Sequence, residues 1–111
     1  MHSVLETSIF TRQADALLAR EDRDALILLL SVDARAGALV PGLGGIRKLR
    51  FAPGGRGKSG AFRVMYYLLD DGRPILALLL YGKNEQANPT PEQRKRFLQV
   101  VDAFKAKARG R

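Results

Sequence analysis

The chain has no cysteine, no tryptophan and a single histidine, and it carries no acidic residue between Gly45 and Leu69. Without cysteine there is no disulfide and no thiolate to act as nucleophile or metal ligand, and a reducing, cytoplasmic setting is permitted. The one histidine, His2, sits near a terminus prone to fraying. That leaves no Ser-His-Asp arrangement and no His/Cys/Asp/Glu cluster at metal-ligand spacing, so neither a metal nor another cofactor is expected. No basic n-region leads into an apolar h-region, so no signal peptide is expected. The longest apolar run, Ile75 to Leu80 with its flanks, is far too short to span a bilayer, and no membrane partner is expected. Heptads, internal repeats and nucleotide fingerprints are missing as well.

What is present suits one domain over residues 1–111, with an ordinary hydrophobic fraction of 46 %. The net charge of +8 is unevenly spread. Residues 1–44 carry four basic and six acidic side chains, net −2; residues 45–82 carry seven and two, net +5; residues 83–111 carry eight and three, again net +5. The excess therefore lies on the middle and last parts of the chain, a distribution that favours nucleic acid or another polyanion as a partner.

Alternation from Val4 to Phe10 predicts a first strand. Thr11 and Asp22 are candidate N-caps for two helices carrying Ala14, Leu17 and Leu18, then Leu26, Leu29 and Leu30, with Gly37 as the C′ stop. Such an αα-hairpin has an apolar face to bury, and a sheet is the only candidate large enough to receive it. Val40 to Gly45 is a link. Three antiparallel strands follow: Gly45 to Ala52, Gly60 to Leu69, and Pro74 to Lys83. Pro53 to Gly60 reads as a flexible hairpin loop, whose functional alternative is to move over a bound polyanion. Asp71-Gly72 as a two-residue turn sets Tyr67 against Leu76 and Arg63 against Leu80; a three-residue turn reverses every face. The last strand has no polar residue before Tyr81, as expected of a strand covered on both faces. Thr90, Pro91 and Gln93 form a capping box with a proline start. The helix they open runs to about Ala108 with Phe97, Val101 and Phe104 as its stripe. The expected fold is α+β, in the order β-α-α-β-β-β-α. A helical hairpin packs on a four-stranded, mainly antiparallel sheet, and a C-terminal helix lies nearby.

The chemistry left to such a chain is that of lysine, arginine and tyrosine. Lys48 and Arg50 are two apart on one strand and share a face. Arg63 stands among apolar neighbours, where a charged residue is seldom buried unpaired. It is either placed to meet an anion or half of a salt bridge, to Glu6 or Glu85. Lys83 closes the last strand as a further cation or as solvated punctuation. Tyr81 is a core residue with its hydroxyl at the edge, or a site residue.

The runs Pro41 to Arg50, Gly60 to Tyr67, Tyr81-Gly82-Lys83-Asn84-Glu85 and Thr90-Pro91-Glu92 together resemble the RelE/HigB superfamily of type II toxin–antitoxin toxins, the HigB-like branch most closely. The resemblance extends over nearly the whole chain. It implies an mRNA endoribonuclease acting without metal, often in the ribosomal A site, and held inactive by an antitoxin. In that family a 2′-hydroxyl attacks the adjacent phosphate, which needs a base, cations for the developing charge and an acid for the leaving oxygen. The family's strand lysines and arginine match Lys48, Arg50 and Arg63. Position 50 departs from the lysine of the best-known members, and arginine stays protonated and is a poor base. Asn84 stands where some members have arginine, and Thr90 near where they have a tyrosine. Lys83 is the candidate to supply the missing cation, and Tyr81 or Tyr67 the missing hydroxyl. Arg47, Arg56, Lys58 and Asn84 are candidate RNA contacts. The expected partners are an antitoxin, mRNA and the ribosome. The rival readings are a ParE-like gyrase poison on the same fold and a non-catalytic RNA-binding module.

Overall fold

The computed structural model describes residues 1–53, 61–82 and 89–109. One sheet runs in the order β1-β5-β4-β3-β2, with β1 at Val4–Glu6, β2 at Ala38–Leu39, β3 at Ile46–Phe51, β4 at Phe62–Tyr67 and β5 at Ile75–Gly82. Between β1 and β2 lie α1 (Ser8–Leu17) and α2 (Arg20–Val32), and α3 (Pro91–Arg109) follows β5. The α+β class and the order of the expected elements hold. The addition is β2, a two-residue edge strand antiparallel to β3 with both residues exposed, too short to register as an alternation. β1 pairs with β5 in parallel, and the other pairings are antiparallel. β5 therefore has a neighbour on each side, in keeping with its unbroken apolar run.

The first strand is shorter than alternation suggests because Thr7, not Thr11, starts the helix. The Thr7 hydroxyl accepts from the Phe10 amide at 3.1 Å and donates to the Leu78 carbonyl at 3.0 Å, fixing the helix start and anchoring it to β5. Thr11 instead donates to Glu6 at 2.6 Å, and Glu6 is also ion-paired to Arg23. α2 begins two residues before Asp22, capped by Ala19 without a side-chain bond, and Glu21 and Asp22 occupy the first turn, where they offset the positive helix end. Gly37 is not the helix stop; Asp33 is the C-cap. Gly37 is glycine because of close approach. A Cβ there would lie 2.9 Å from the Tyr66 ring and hydroxyl. The hydroxyl of the fully buried Tyr66 accepts from the Gly37 amide and donates to the Ala34 carbonyl, both at 2.8 Å, which ties the end of the hairpin to the sheet. Burial pushes the Tyr66 hydroxyl above its ordinary pKa, against smaller opposing pulls from the Gly37 bond and Arg47.

Each face of the sheet has its own core. On one face, Phe10, Ala14, Leu18, Leu26 and Leu30 of the hairpin meet Phe51, Phe62, Val64, Tyr66, Ile75, Ala77 and Leu80. On the other, Phe97 and Val101 of α3 meet Ile46, Met65, Tyr67, Leu76, Leu78 and Tyr81, with Phe104 alongside. The C-terminal helix thus lies across the sheet from the hairpin. Its start is the expected capping box: the Thr90 hydroxyl accepts from the Gln93 amide at 3.1 Å, and the Gln93 side chain accepts from the Thr90 amide at 2.9 Å. Arg94 donates to the Pro41 carbonyl and Arg73 to the Ala108 carbonyl, Phe104 meets the Tyr67 ring edge-on, and Lys105 lies over that ring.

Candidate nucleic-acid interface

The sheet register decides which side chains meet. At the turn, Tyr67 pairs with Leu76, as a two-residue loop requires. Between Met65 and Tyr66 the register slips: Tyr66 pairs with Ala77, Met65 with Leu79, and Arg63 with Tyr81. β5 has one residue more than β4 in this interval. That is the signature of a β-bulge, which re-aims the residues beyond it. Two expectations change. Arg63 faces Tyr81 rather than Leu80, and Leu80 joins the hairpin core while Tyr81 joins the α3 face.

β3 and β4 are in unbroken register, so Arg50 sits directly opposite Arg63, and Lys48 opposite Met65. Alternation puts Lys48 and Arg50 on the face of Ile46, and Arg63 on that of Met65 and Tyr67, which is the α3 face. The result is a row across three strands, Arg50–Arg63–Tyr81, with Lys48 one diagonal step from Arg63. This face is graded. Ile46, Tyr67 and Leu76 occupy the turn end under α3, and the cations occupy the opposite end.

Arg50 is exposed, whereas Lys48 and Arg63 are half-buried; Arg63 is the only residue of β4 that is not buried. No ion pair among the described residues involves any of the three. The Nη1 of Arg63 is buried and has no hydrogen-bond partner among the described residues. Glu6, one of the two acids considered for it, is committed to Arg23 and Thr11; Glu85 lies outside the described residues. Like charges directly across a strand pair are destabilising. A buried guanidinium nitrogen without an acceptor adds to that cost. Tyr81 is nearly buried. Burial pushes its hydroxyl above the ordinary pKa, and the positive charge of Arg63 pulls it partly back. The hydroxyl is therefore protonated at neutral pH and able to donate.

Of the other expected site residues, Arg47 is turned away. It lies on the hairpin face, where it donates to the Gly37 carbonyl at 2.8 Å and is occupied with the link between α2 and β2. Its odd position on β3, between Ile46 and Lys48, already separates it from the even-numbered cations. Arg56, Lys58, Lys83 and Asn84 lie outside the described residues. The adjoining residues Pro53, Ala61 and Gly82 belong to the same end of the sheet as the cationic row, since β3 ends, β4 starts and β5 ends there. Among the described residues there is no group of three or more His, Cys, Asp or Glu side chains placed to hold a metal ion, and no helix is long and apolar enough to cross a membrane.

No protein-family model matches the chain. Among solved structures, it is similar to the Escherichia coli toxin RelE, determined as a double arginine-to-alanine mutant in the free state. The TM-score is 0.59 at 12 % identity, over 90 % of this chain and 97 % of that one. The likeness is one of fold: an α+β chain with the hairpin on one side of the sheet and the last helix on the other.

Proposed function

We propose that this chain is the toxin of a type II toxin–antitoxin pair, of the HigB-like branch of the RelE/HigB group, and that it cleaves mRNA in the cytoplasm, at the ribosome. The observation that carries this reading is the Arg50–Arg63 pair. The two arginines stand directly opposite each other on adjacent strands, and Arg63 has a buried guanidinium nitrogen that lacks an acceptor among the described residues. An anion between them relieves both costs, and a bridging phosphodiester has the two non-bridging oxygens such a pair can hold. The RelE-like fold supports the same reading.

In this mechanism Lys48 is the base that takes the proton from the 2′-hydroxyl. The 2′-oxygen forms a bond to the adjacent phosphorus, and the bond from phosphorus to the 5′-oxygen breaks. Arg63 and Arg50 stabilise the charge that develops on the phosphoryl oxygens. The Tyr81 hydroxyl supplies a proton to the departing 5′-oxygen, with Lys83 as the further cation at the end of β5. The products are a 2′,3′-cyclic phosphate and a 5′-hydroxyl, and no metal takes part. Arg56, Lys58 and Asn84 are assigned to the flanking RNA, and an antitoxin protein is assigned as the inhibitor.

Primer extension on cellular mRNA after induced expression tests this. Defined 5′-hydroxyl ends that vanish with Arg63→Ala support it. Intact mRNA accompanied by DNA damage replaces it with the gyrase-poison reading, and tight RNA binding without cleavage replaces it with that of a binding module.

A further inference from the structure

The bulge that sets Tyr81 opposite Arg63 is held from outside the sheet. In a regular strand successive carbonyls point to opposite edges. On β5 two in a row point to the same edge. The Ala77 carbonyl accepts from the Thr7 amide at 3.1 Å, and the Leu78 carbonyl accepts from the Thr7 hydroxyl at 3.0 Å. Leu78 is also the residue that β4 leaves unpaired, since Tyr66 takes Ala77 and Met65 takes Leu79. Thr7 therefore meets both outward carbonyls with its two donors. Beyond the bulge the alternation resumes, and the Leu80 amide again points outward, to the Gln13 side-chain oxygen at 2.8 Å.

We propose that Thr7 is a positioning residue of the site: its hydroxyl keeps the bulge at Leu78, and through the bulge it keeps Tyr81 in the row with Arg63 and Arg50. The competing arrangement is the unbulged register, in which Arg63 faces Leu80 and Tyr81 passes to the hairpin face, because a one-residue slip reverses every side chain beyond it. Two considerations make Thr7 the arbiter. The first is the weak grip of packing: within the run 78–80, leucine replaces leucine on each face.

The second is the fate of one carbonyl. A bulged residue is denied its ladder partner, so the Leu78 oxygen needs an acceptor's share of some other donor, and the Thr7 hydroxyl provides it. In the unbulged register that oxygen turns back toward β4 and needs nothing from Thr7. Taking the hydroxyl away therefore penalises the bulged register alone, by an unsatisfied backbone acceptor. Gln13 does not discriminate in this way. In the unbulged register the Leu79 amide takes the outward place opposite Val64, so Gln13 has a donor in either case.

The effect on cleavage rests on the function above, whereas the choice of register does not. The test separates the two roles of Thr7, since its hydroxyl also accepts from the Phe10 amide at the start of α1. Thr7→Asp keeps a good N-cap acceptor but has no proton for the Leu78 carbonyl; Thr7→Ser keeps both. Register is read by nuclear magnetic resonance on the full chain. Because the Leu80 amide points away from β4, Val64 and Leu80 form a closely spaced non-hydrogen-bonded pair, marked by a cross-peak between their Hα protons. Thr7→Asp should weaken that cross-peak and bring up one between Val64 and Leu79, while Thr7→Ser and Gln13→Met should keep the original. In cleavage assays Thr7→Asp should lower kcat by about tenfold to a hundredfold, with RNA affinity within about threefold of wild type. Thr7→Ser should restore the rate. In a Tyr81→Phe background, Thr7→Asp should cost nothing further, because the residue it positions is already disabled. An unchanged Val64–Leu80 cross-peak in Thr7→Asp, the same loss of it in Gln13→Met, or an undiminished cost of Thr7→Asp beside Tyr81→Phe each overturns the proposal. If wild type cleaves no RNA, the nuclease reading fails, and the Val64 cross-peak alone decides whether Thr7 sets the register.

Discussion

Arg63→Met should make the protein more stable and inactive at once. Methionine keeps the length of the aliphatic stem and so retains contacts on the α3 face, while the guanidinium is lost. Two costs go with it. Arg50 and Arg63 are direct cross-strand partners, and like-charge pairs at that distance cost a few tenths to about 1 kcal/mol. The buried Nη1 has no acceptor among the described residues, and an orphaned buried donor costs about 1–3 kcal/mol. Part of this is offset, because Arg63 is only half-buried and water screens the repulsion. A net gain of about 1–2 kcal/mol remains. At roughly 4 °C or more per kcal/mol for a domain near this size, Tm should rise measurably. Paired urea melts of wild type and Arg63→Met, with an unchanged m-value, give the stability difference, and a cleavage assay gives the activity. If Arg63→Met lowers stability by 1 kcal/mol or more, Arg63 is half of a structural ion pair, with Glu85 the first suspect, and the argument for an anion site between the two arginines fails.

Three further outcomes follow from the same geometry. Lys48→Arg keeps the charge but removes the amine that can act as a base, so the cleavage rate should fall about a hundredfold or more with RNA affinity within about threefold; equal losses in both would leave Lys48 a binding residue only. Tyr81→Phe should lower cleavage of ordinary RNA by about a hundredfold and be rescued by a 5′-thio leaving group, which needs no proton; an unchanged rate removes Tyr81 from the chemistry. Tyr66→Phe strips the Ala34 carbonyl and the Gly37 amide of their partner and should cost about 2–3 kcal/mol. Because the folded-state pKa of Tyr66 is raised above 10.0, its stabilisation is full below the unfolded value and is lost as pH climbs through the folded one. Urea melts across the alkaline limb should therefore slope downward in wild type and less so in the variant.

Much of the fold is written locally. Thr90, Pro91 and Gln93 specify the start of α3 within four residues, because a capping box needs nothing from the rest of the chain. Asp70 to Arg73 likewise fixes the register of Tyr67 against Leu76. The misreadings come where a distant element decides. Thr7 and Thr11 are equally good caps in isolation, and Thr7 prevails because its hydroxyl also reaches the Leu78 carbonyl of β5. Gly37 has the local profile of a helix stop, but the Tyr66 ring, 29 positions away, is what excludes a side chain there. At the candidate site, period-two spacing correctly joins Lys48 and Arg50 on one face. It equally places Arg47 opposite them, a consequence that clustering by charge conceals. The Arg63–Tyr81 pairing was not legible, because a run of leucines contains no mark of where the extra residue sits.

The bulge makes the site sensitive to drift that the core does not feel. Leu78, Leu79 and Leu80 are the same residue, so exchanging which of them absorbs the slip changes little in buried volume or hydrophobicity. Gaining one leucine in this run, with the bulge still a single residue, would leave the pairing of the apolar residues and the sheet intact. Yet it would send the tyrosine to the hairpin side and deprive Arg63 of its neighbour. Activity in this scaffold is thus separable from foldedness by a single-codon insertion. A lineage in which the protein has lost its activity would still carry an intact core, every cation and the tyrosine itself, and only the length of β5 would differ.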